Sequence, residues 1–375
     1  MSKEWLSPYN PFNSAKVLMW QKHLEGCAKD NYLIPVSVDV DPSNRCNFNC
    51  KWCNAGGIIE DSHTDMSEKH LLDLADFIKG WGADTPEGNP KSACVAGGGE
   101  SLMNPATPAF LERMYENGLQ NGLITNGSLI TKQNLDIIAK SCRWIGISMD
   151  AGTPKTYNKI KFQNDTLSSA VFDYVCKNIT KLAKRIDELG VQNDLCFKFL
   201  LSPENYNEVY AAAKLAKSLG VKDFHLRPVG YKNLVGTKDF NVKYSKKMLA
   251  VIEKQMAEAM KLSDKNFRVY GITHKFNPDF SIMKKFSRCW AIPLIPTFSA
   301  DGNVYLCFDM RGSEDTILCK HDTDVTEIAR FWNTEAHKKI VRDIDVNKCP
   351  RCTFTAYNEI VETVIQNDSM CRMFP

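Results

Sequence analysis

A chain of 375 residues, 43% hydrophobic and 24% charged, is long enough for one large domain and a smaller one around ordinary apolar cores. Its 47 basic residues nearly balance 44 acidic ones, leaving a net charge of +3. That balance gives no broad electrostatic footprint for nucleic acid or an anionic membrane surface, so neither partner is expected. Fourteen cysteines are dense for such a chain. The first residues, Met1-Ser-Lys-Glu-Trp5, lack the apolar core of a signal peptide, and no apolar run reaches membrane-spanning length. A reducing cytoplasm is therefore expected, where clustered thiols read as metal ligands or catalysts rather than disulfides.

Residues 1–34 read as an N-terminal extension, with Phe12, Met19, Trp20 and Leu24 at partial helical spacing. From 35 to 235, short apolar runs alternate with amphipathic helical patterns. Strands are predicted at Val36–Val40, Ser92–Ala96, Gly122–Thr125, Trp144–Asp150, Leu195–Leu201 and Asp223–Pro228. Helices are predicted near 67–80, 105–117, 131–142, 167–189 and 205–219, three of them stopping at Gly118, Gly190 and Gly220. Six strand–helix repeats predict an α/β fold: a parallel sheet with right-handed crossovers, curled into a partial (β/α)6 barrel. Catalytic groups belong at the carboxyl ends of such strands. Alternation places Val38, Ile145, Ile147, Phe197, Phe199, Phe224 and Leu226 under the helices. It leaves Ser37, Asp39, Ser148, Asp150, Lys198, His225 and Arg227 facing a polar lumen. Residues 236–285 turn Lys-rich and helical over Tyr244–Leu262, then irregular, as a linker to a small hairpin-and-helix unit at 286–375.

The first strand feeds Cys46-x3-Cys50-x2-Cys53. Three thiolates closing on one point suit a four-iron cluster that keeps one iron free for a non-protein ligand. The alternative is a zinc knuckle, whose fourth ligand His63 could supply. Gly97-Gly98-Gly99-Glu100 follows the second strand, with glycines that permit close backbone approach and a carboxylate able to pair with an ammonium. Thr125-Asn126-Gly127 closes the third strand, where turn capping alone would explain Asn126-Gly127, and Ser148-Met149-Asp150 closes the fourth.

The segment Asp41–Cys53, with Trp52 before its last cysteine, resembles the cluster loop of the radical S-adenosylmethionine (SAM) enzymes, and the glycine segment resembles their Gly-Gly-Glu motif. The likeness covers about residues 35–230. It implies a [4Fe-4S] cluster on Cys46, Cys50 and Cys53, with the amino group of SAM held by Gly98, Gly99 and Glu100. It further implies ribose and methionine contacts from Thr125, Asn126 and Ser148, and a carboxylate contact from Lys198. The chemistry implied is one-electron cleavage of SAM to a 5′-deoxyadenosyl radical, fed by a low-potential donor such as flavodoxin or ferredoxin.

A second pattern, Cys289-x12-Gly302-x4-Cys307 followed by Cys349-Pro-Arg-Cys352, lies near the C-terminus. Asp301-Gly302-Asn303 marks a tight turn, so a hairpin would bring Cys289 and Cys307 to one end. Four thiolates suit a zinc ribbon or an iron cluster. The pattern resembles the twitch domain, the shortened SPASM domain, which implies an auxiliary [4Fe-4S] cluster and two clusters in all. With no open iron, such a cluster suits electron transfer. The whole arrangement is similar to aminocyclitol dehydrogenases of the 2-deoxy-scyllo-inosamine type. An oxidoreductase is therefore expected to abstract hydrogen from a small sugar- or cyclitol-like substrate and pass the second electron to the auxiliary cluster. Arg227, His225 and Asp150 are the candidate proton acceptors. Alternatives are peptide modification, epimerisation with Cys319 or Cys371 as hydrogen donor, and a non-catalytic zinc or iron scaffold. Cys94, Cys142, Cys176 and Cys196 read as core residues.

Overall fold

In the computed structural model, residues 13–230, 232–234, 237–239, 242–271, 284–349 and 352–365 are described. The strands β1 (Ser37–Asp41), β2 (Ser92–Val95), β3 (Gln120–Thr125), β4 (Cys142–Ser148), β5 (Asp194–Leu201) and β6 (Asp223–Pro228) lie side by side in sequence order. All pair in parallel, and a helical crossover separates each from the next. The alternation of residues explains why. Val38, Val40, Val95, Ile145, Ile147, Phe197, Phe199, Phe224 and Leu226 are almost wholly buried in one continuous core beneath the helices. Each such side chain contributes on the order of 1.5–3 kcal/mol of burial.

The helices follow the same logic. In Glu68–Gly80, Leu71, Leu74, Ala75 and Ile78 recur at helical spacing and are buried, while Ser67 caps the first turn by accepting from the His70 amide at 3.2 Å. Ala170–Leu189 stops at Gly190, which takes φ +62°.

Three features depart from the sequence expectation. β4 ends at Ser148, two residues early, because Asp150 adopts the left-handed conformation (φ +59°) and turns the chain inward. The region expected to be a helical, then irregular, linker contributes more than a connection. A short hairpin of β7 (Lys232–Leu234) and β8 (Thr237–Asp239) straddles its start, and it holds the helix Lys246–Met260. Its last element, β9 (Arg268–Gly271), pairs in parallel with β6. Finally, β10 (Thr297–Ser299) pairs in parallel with β1, and β11 (Asn303–Tyr305) and β12 (Ile317–Lys320) continue antiparallel from it. The C-terminal hairpin thus extends the main sheet to ten strands, in the order β12-β11-β10-β1-β2-β3-β4-β5-β6-β9. Phe298, Val304 and Leu306 join the same core as Val38 and Ile145. Strand pairing across more than 250 residues leaves no local trace in the sequence.

Candidate active site

Between β1 and the helix Gly56–Asp61 the cluster loop takes its shape from its neighbours. The Asn49 and Lys51 amides donate to the carbonyls of Lys161 and Ile160 at 3.1 and 2.8 Å. Those carbonyls end the helix Pro154–Lys161, where no intrahelical partner remains for them. Trp52 Nε1 donates to Glu204 at 2.9 Å, Lys51 pairs with the other oxygen of Glu204, and Phe48 packs edge-on against Phe162. The loop therefore presents Cys46, Cys50 and Cys53 to one cavity of about 250 Å³.

The glycine segment is clamped to that loop. The amides of Gly99 and Glu100 donate to the carbonyls of Ser43 and Arg45 at 2.9 and 2.8 Å. A Cβ on Gly99 would stand 2.0 Å from the Arg45 carbonyl oxygen, and one on Gly98 would stand 2.1 Å from Asn44 Oδ1. Close passage of two protein segments demands glycine here, whereas the sequence suggested the approach of a ligand. Gly99→Ala is accordingly expected to displace the cysteine loop, lowering bound iron well below wild type in a colorimetric iron assay while the far-UV circular dichroism stays unchanged.

Glu100 is buried. It accepts from Thr125 Oγ1 at 2.5 Å, from the Asn126 amide at 2.7 Å and from the Leu102 amide at 3.2 Å. Burial raises its pKa and these hydrogen bonds oppose the rise. With roughly four acceptor sites on a carboxylate, one remains for a further donor such as an ammonium. Asn126 also reaches the cysteine loop, donating to Asn47 Oδ1 at 2.8 Å. Gly98, Gly99, Glu100, Thr125, Asn126, Ser148, Asp150, Lys198, His225 and Arg227 all line the cavity that holds the three cysteines. His63 is exposed and does not line it.

Asp150 is committed to its neighbours. One oxygen accepts from the Leu200 amide at 2.6 Å and the other pairs with buried Lys161 at 2.5 Å. Burial works against the Lys161 charge, and Asp150, together with Cys50 and Tyr157, more than restores it. Lys198 crosses the open face of Gly146, whose Cβ would meet Lys198 Cε at 2.0 Å, and its ammonium sits 5.2 Å from the Trp144 ring centre. Burial and then Arg227 lower the Lys198 pKa. An arginine holds its proton across the working range, so Arg227 is a cation and not a base. Below lies a polar floor. Cys196, Asp223 and His225 are buried with their potential ligand atoms within 4.8 Å of one another. Arg268 already supplies the positive charge there, binding Asp223 through two bonds of 2.6 and 2.9 Å.

The second thiol set also converges. Cys289, Cys307, Cys349 and Cys352 line one cavity with Asp309, Met310 and Phe354. Burial pushes the Cys289 thiol up to about 11 and raises Cys307 and Cys352 as well, so without a cation these sulfurs stay protonated. Four thiols lining one cavity match the donor set of a closed tetrahedral metal or cluster site. Two groups escaped the sequence reading. Asn358 donates to Cys289 Sγ at 3.9 Å and Cys352 Sγ at 3.8 Å while accepting from the Trp290 and Ala291 amides. Arg311 forms a buried ion pair with Asp41 at the end of β1. No motif marks either residue, because each acts across contacts far apart in sequence.

The turn Cys307–Arg311 divides the two cavities: Phe308 and Arg311 line the first, while Cys307, Asp309 and Met310 line the second. Cys319 lines neither; it sits half-buried in β12 opposite Val304. Cys371 lies outside the described residues.

A partial parallel barrel with a three-thiol loop, a glycine–glutamate clamp and acceptors at its strand ends defines a class of iron–sulfur enzymes that use SAM. Residues 40–236 match the profile of the Radical SAM superfamily, and the chain belongs to it. Among curated relatives, it is 28% identical over 153 residues to an S-adenosylmethionine-dependent nucleotide dehydratase of Selenomonas ruminantium, covering 40% of this chain and 52% of that protein. It is 26% identical over 184 residues to the cofactor-modifying protein of a tungsten-containing aldehyde ferredoxin oxidoreductase from Pyrococcus furiosus, covering 48% of each. The chain thus spans about half the length of the curated relatives it matches. Its fold is similar to that of Streptococcus suis SuiB bound to S-adenosylmethionine, with a TM-score of 0.62 at 15% identity over 96% of this chain and 82% of that one. It is also similar to anSMEcpe with bound AdoMet, with a TM-score of 0.55 at 17% identity over 82% and 83% of the two chains. No described helix is long and apolar enough to cross a membrane.

Proposed function

We propose that this radical SAM enzyme is an oxidoreductase that dehydrogenates a small polar substrate, and that an auxiliary [4Fe-4S] cluster held by Cys289, Cys307, Cys349 and Cys352 accepts the second electron. In this reading residues 35–235 form the catalytic core, and the unit beginning near residue 286 carries the auxiliary site. The first cluster and SAM, when bound, supply a 5′-deoxyadenosyl radical able to take hydrogen from an unactivated carbon. Cys46, Cys50 and Cys53 hold that cluster. Glu100, fixed by Thr125 and Asn126, receives the ammonium of SAM, and Lys198 its carboxylate. Of the three candidate proton acceptors, Arg227 remains a cation and Asp150 is tied to Lys161, which leaves His225 for the substrate proton. A flavodoxin- or ferredoxin-like donor would supply the first electron.

The observation that carries the reading is the turn at 307–311. That segment contributes Phe308 and Arg311 to the first cavity and Cys307, Asp309 and Met310 to the second, which supports passage of an electron from a substrate in one to a cluster in the other. Anaerobically reconstituted protein is expected to bind about eight irons per chain, and the Cys349→Ala/Cys352→Ala variant about four. The variant should still cleave SAM after reduction but form no oxidised product. Zinc in the wild-type C-terminal site, or an unchanged iron count in the variant, would remove the electron-acceptor role.

A further inference from the structure

The SAM cavity carries more positive charge than its own carboxylates neutralise. Four cations line it: Lys161, Lys198, Arg227 and Arg311. Lys161 is matched by Asp150 and Arg311 by Asp41. The other lining carboxylate, Glu100, is held by neutral donors beyond the ends of β2 and β3, further along the sheet from β5 and β6. Lys198 and Arg227 have no acidic partner within ion-pair distance among the described residues. They sit on adjacent strands, with Lys198 level with His225 and Arg227 level with Leu200, near enough for Arg227 to depress the Lys198 ammonium. Like charges enclosed together without a counter-ion are unfavourable, and such groups normally are paired. SAM brings one carboxylate, which satisfies one of the two, but it also brings an ammonium and a sulfonium. One cation is still left over after the cofactor is seated.

We propose that Arg227 is the substrate-recognition residue of this cavity, and that it binds an anionic group, a carboxylate or a phosphate, on the substrate. The proposal rests on the radical SAM oxidoreductase reading above and narrows its substrate class from small and polar to small and anionic. The guanidinium fork suits two-point binding of either oxyanion, and Lys198, resting on Trp144, is left to the carboxylate of SAM. Anchoring at the end of β6 fixes one end of the substrate beside His225, the residue left to receive its proton.

The test uses the reconstituted, SAM-loaded full chain at low ionic strength, titrated by calorimetry with inorganic phosphate and, separately, with acetate. SAM binding by the wild type is measured first in the same preparation. Its absence would overturn the broader reading and this proposal with it, whereas its presence isolates the anion question. Saturable one-to-one binding of at least one anion is expected, and which of the two binds more tightly distinguishes a phosphate from a carboxylate substrate. Arg227→Met should weaken that binding at least tenfold, and Arg227→Lys, which keeps a point charge, by less. Three results would overturn the proposal. They are no saturable binding of either anion to the SAM-loaded wild type, equal affinity in Arg227→Met, and binding that SAM itself abolishes, which would assign Arg227 to the cofactor.

Discussion

Replacing Cys50 with alanine is expected to reduce 5′-deoxyadenosine formation to the level of a protein-free control. The three cysteines of the loop are half-buried and share one cavity, and desolvation raises their thiols, Cys46 to about 11 and Cys53 to about 12. Such thiols ionise only against a cation, so ligand count and cluster binding are linked and two remaining sulfurs do not hold the cluster. The loop itself is anchored elsewhere, through Glu204 and the end of the helix Pro154–Lys161, so the variant should stay folded. Chromatographic assay of SAM cleavage after dithionite reduction reads the loss directly. Cys319→Ala, at a position lining neither cavity, is the control expected to cleave SAM as wild type. Continued cleavage by Cys50→Ala would separate this loop from the chemistry.

Asp41→Leu should destabilise the chain by about 3–5 kcal/mol, the cost of taking the Asp41 carboxylate away from a buried guanidinium. Both side chains of the Asp41–Arg311 pair are almost wholly buried, and two hydrogen bonds join them. Arg311→Met should cost a similar amount for the reverse reason. The double variant Asp41→Leu/Arg311→Met removes both charges, and it should recover most of the loss, since apolar replacement of a buried pair is often neutral. Urea denaturation midpoints of the four proteins form the thermodynamic cycle. Additive losses in the double variant would show that the two residues do not act as a pair. The pair matters for function because it draws the turn Cys307–Arg311, the partition between the two thiol sets, onto the end of β1.

Local signals carried the first half of the chain. Period-two runs such as Ile145-Gly146-Ile147 and Phe197-Lys198-Phe199, alternating with period-3.6 stretches such as Leu71–Ile78, are enough to specify six parallel strands with helices over one face. The cysteine spacings were equally legible, since ligands supplied by one loop must be near each other whatever the fold does. The Arg268–Gly271 strand was missed because four residues carry too little periodicity to separate a strand from a loop.

The sequence by itself determined which residues are candidates for the chemistry: two sets of thiols, a glycine–glutamate turn and a ladder of polar side chains at strand ends. Those are properties of residue type and short spacing. Tertiary structure alone decided how the sets relate. It paired β10 with β1, closed the Asp41–Arg311 clasp, placed Asn358 over two sulfurs and left Arg227 with no acidic partner among the described residues. Each of these joins or separates groups tens to hundreds of residues apart. Such relations are set by how the sheet curls and what packs upon it, which no local pattern encodes.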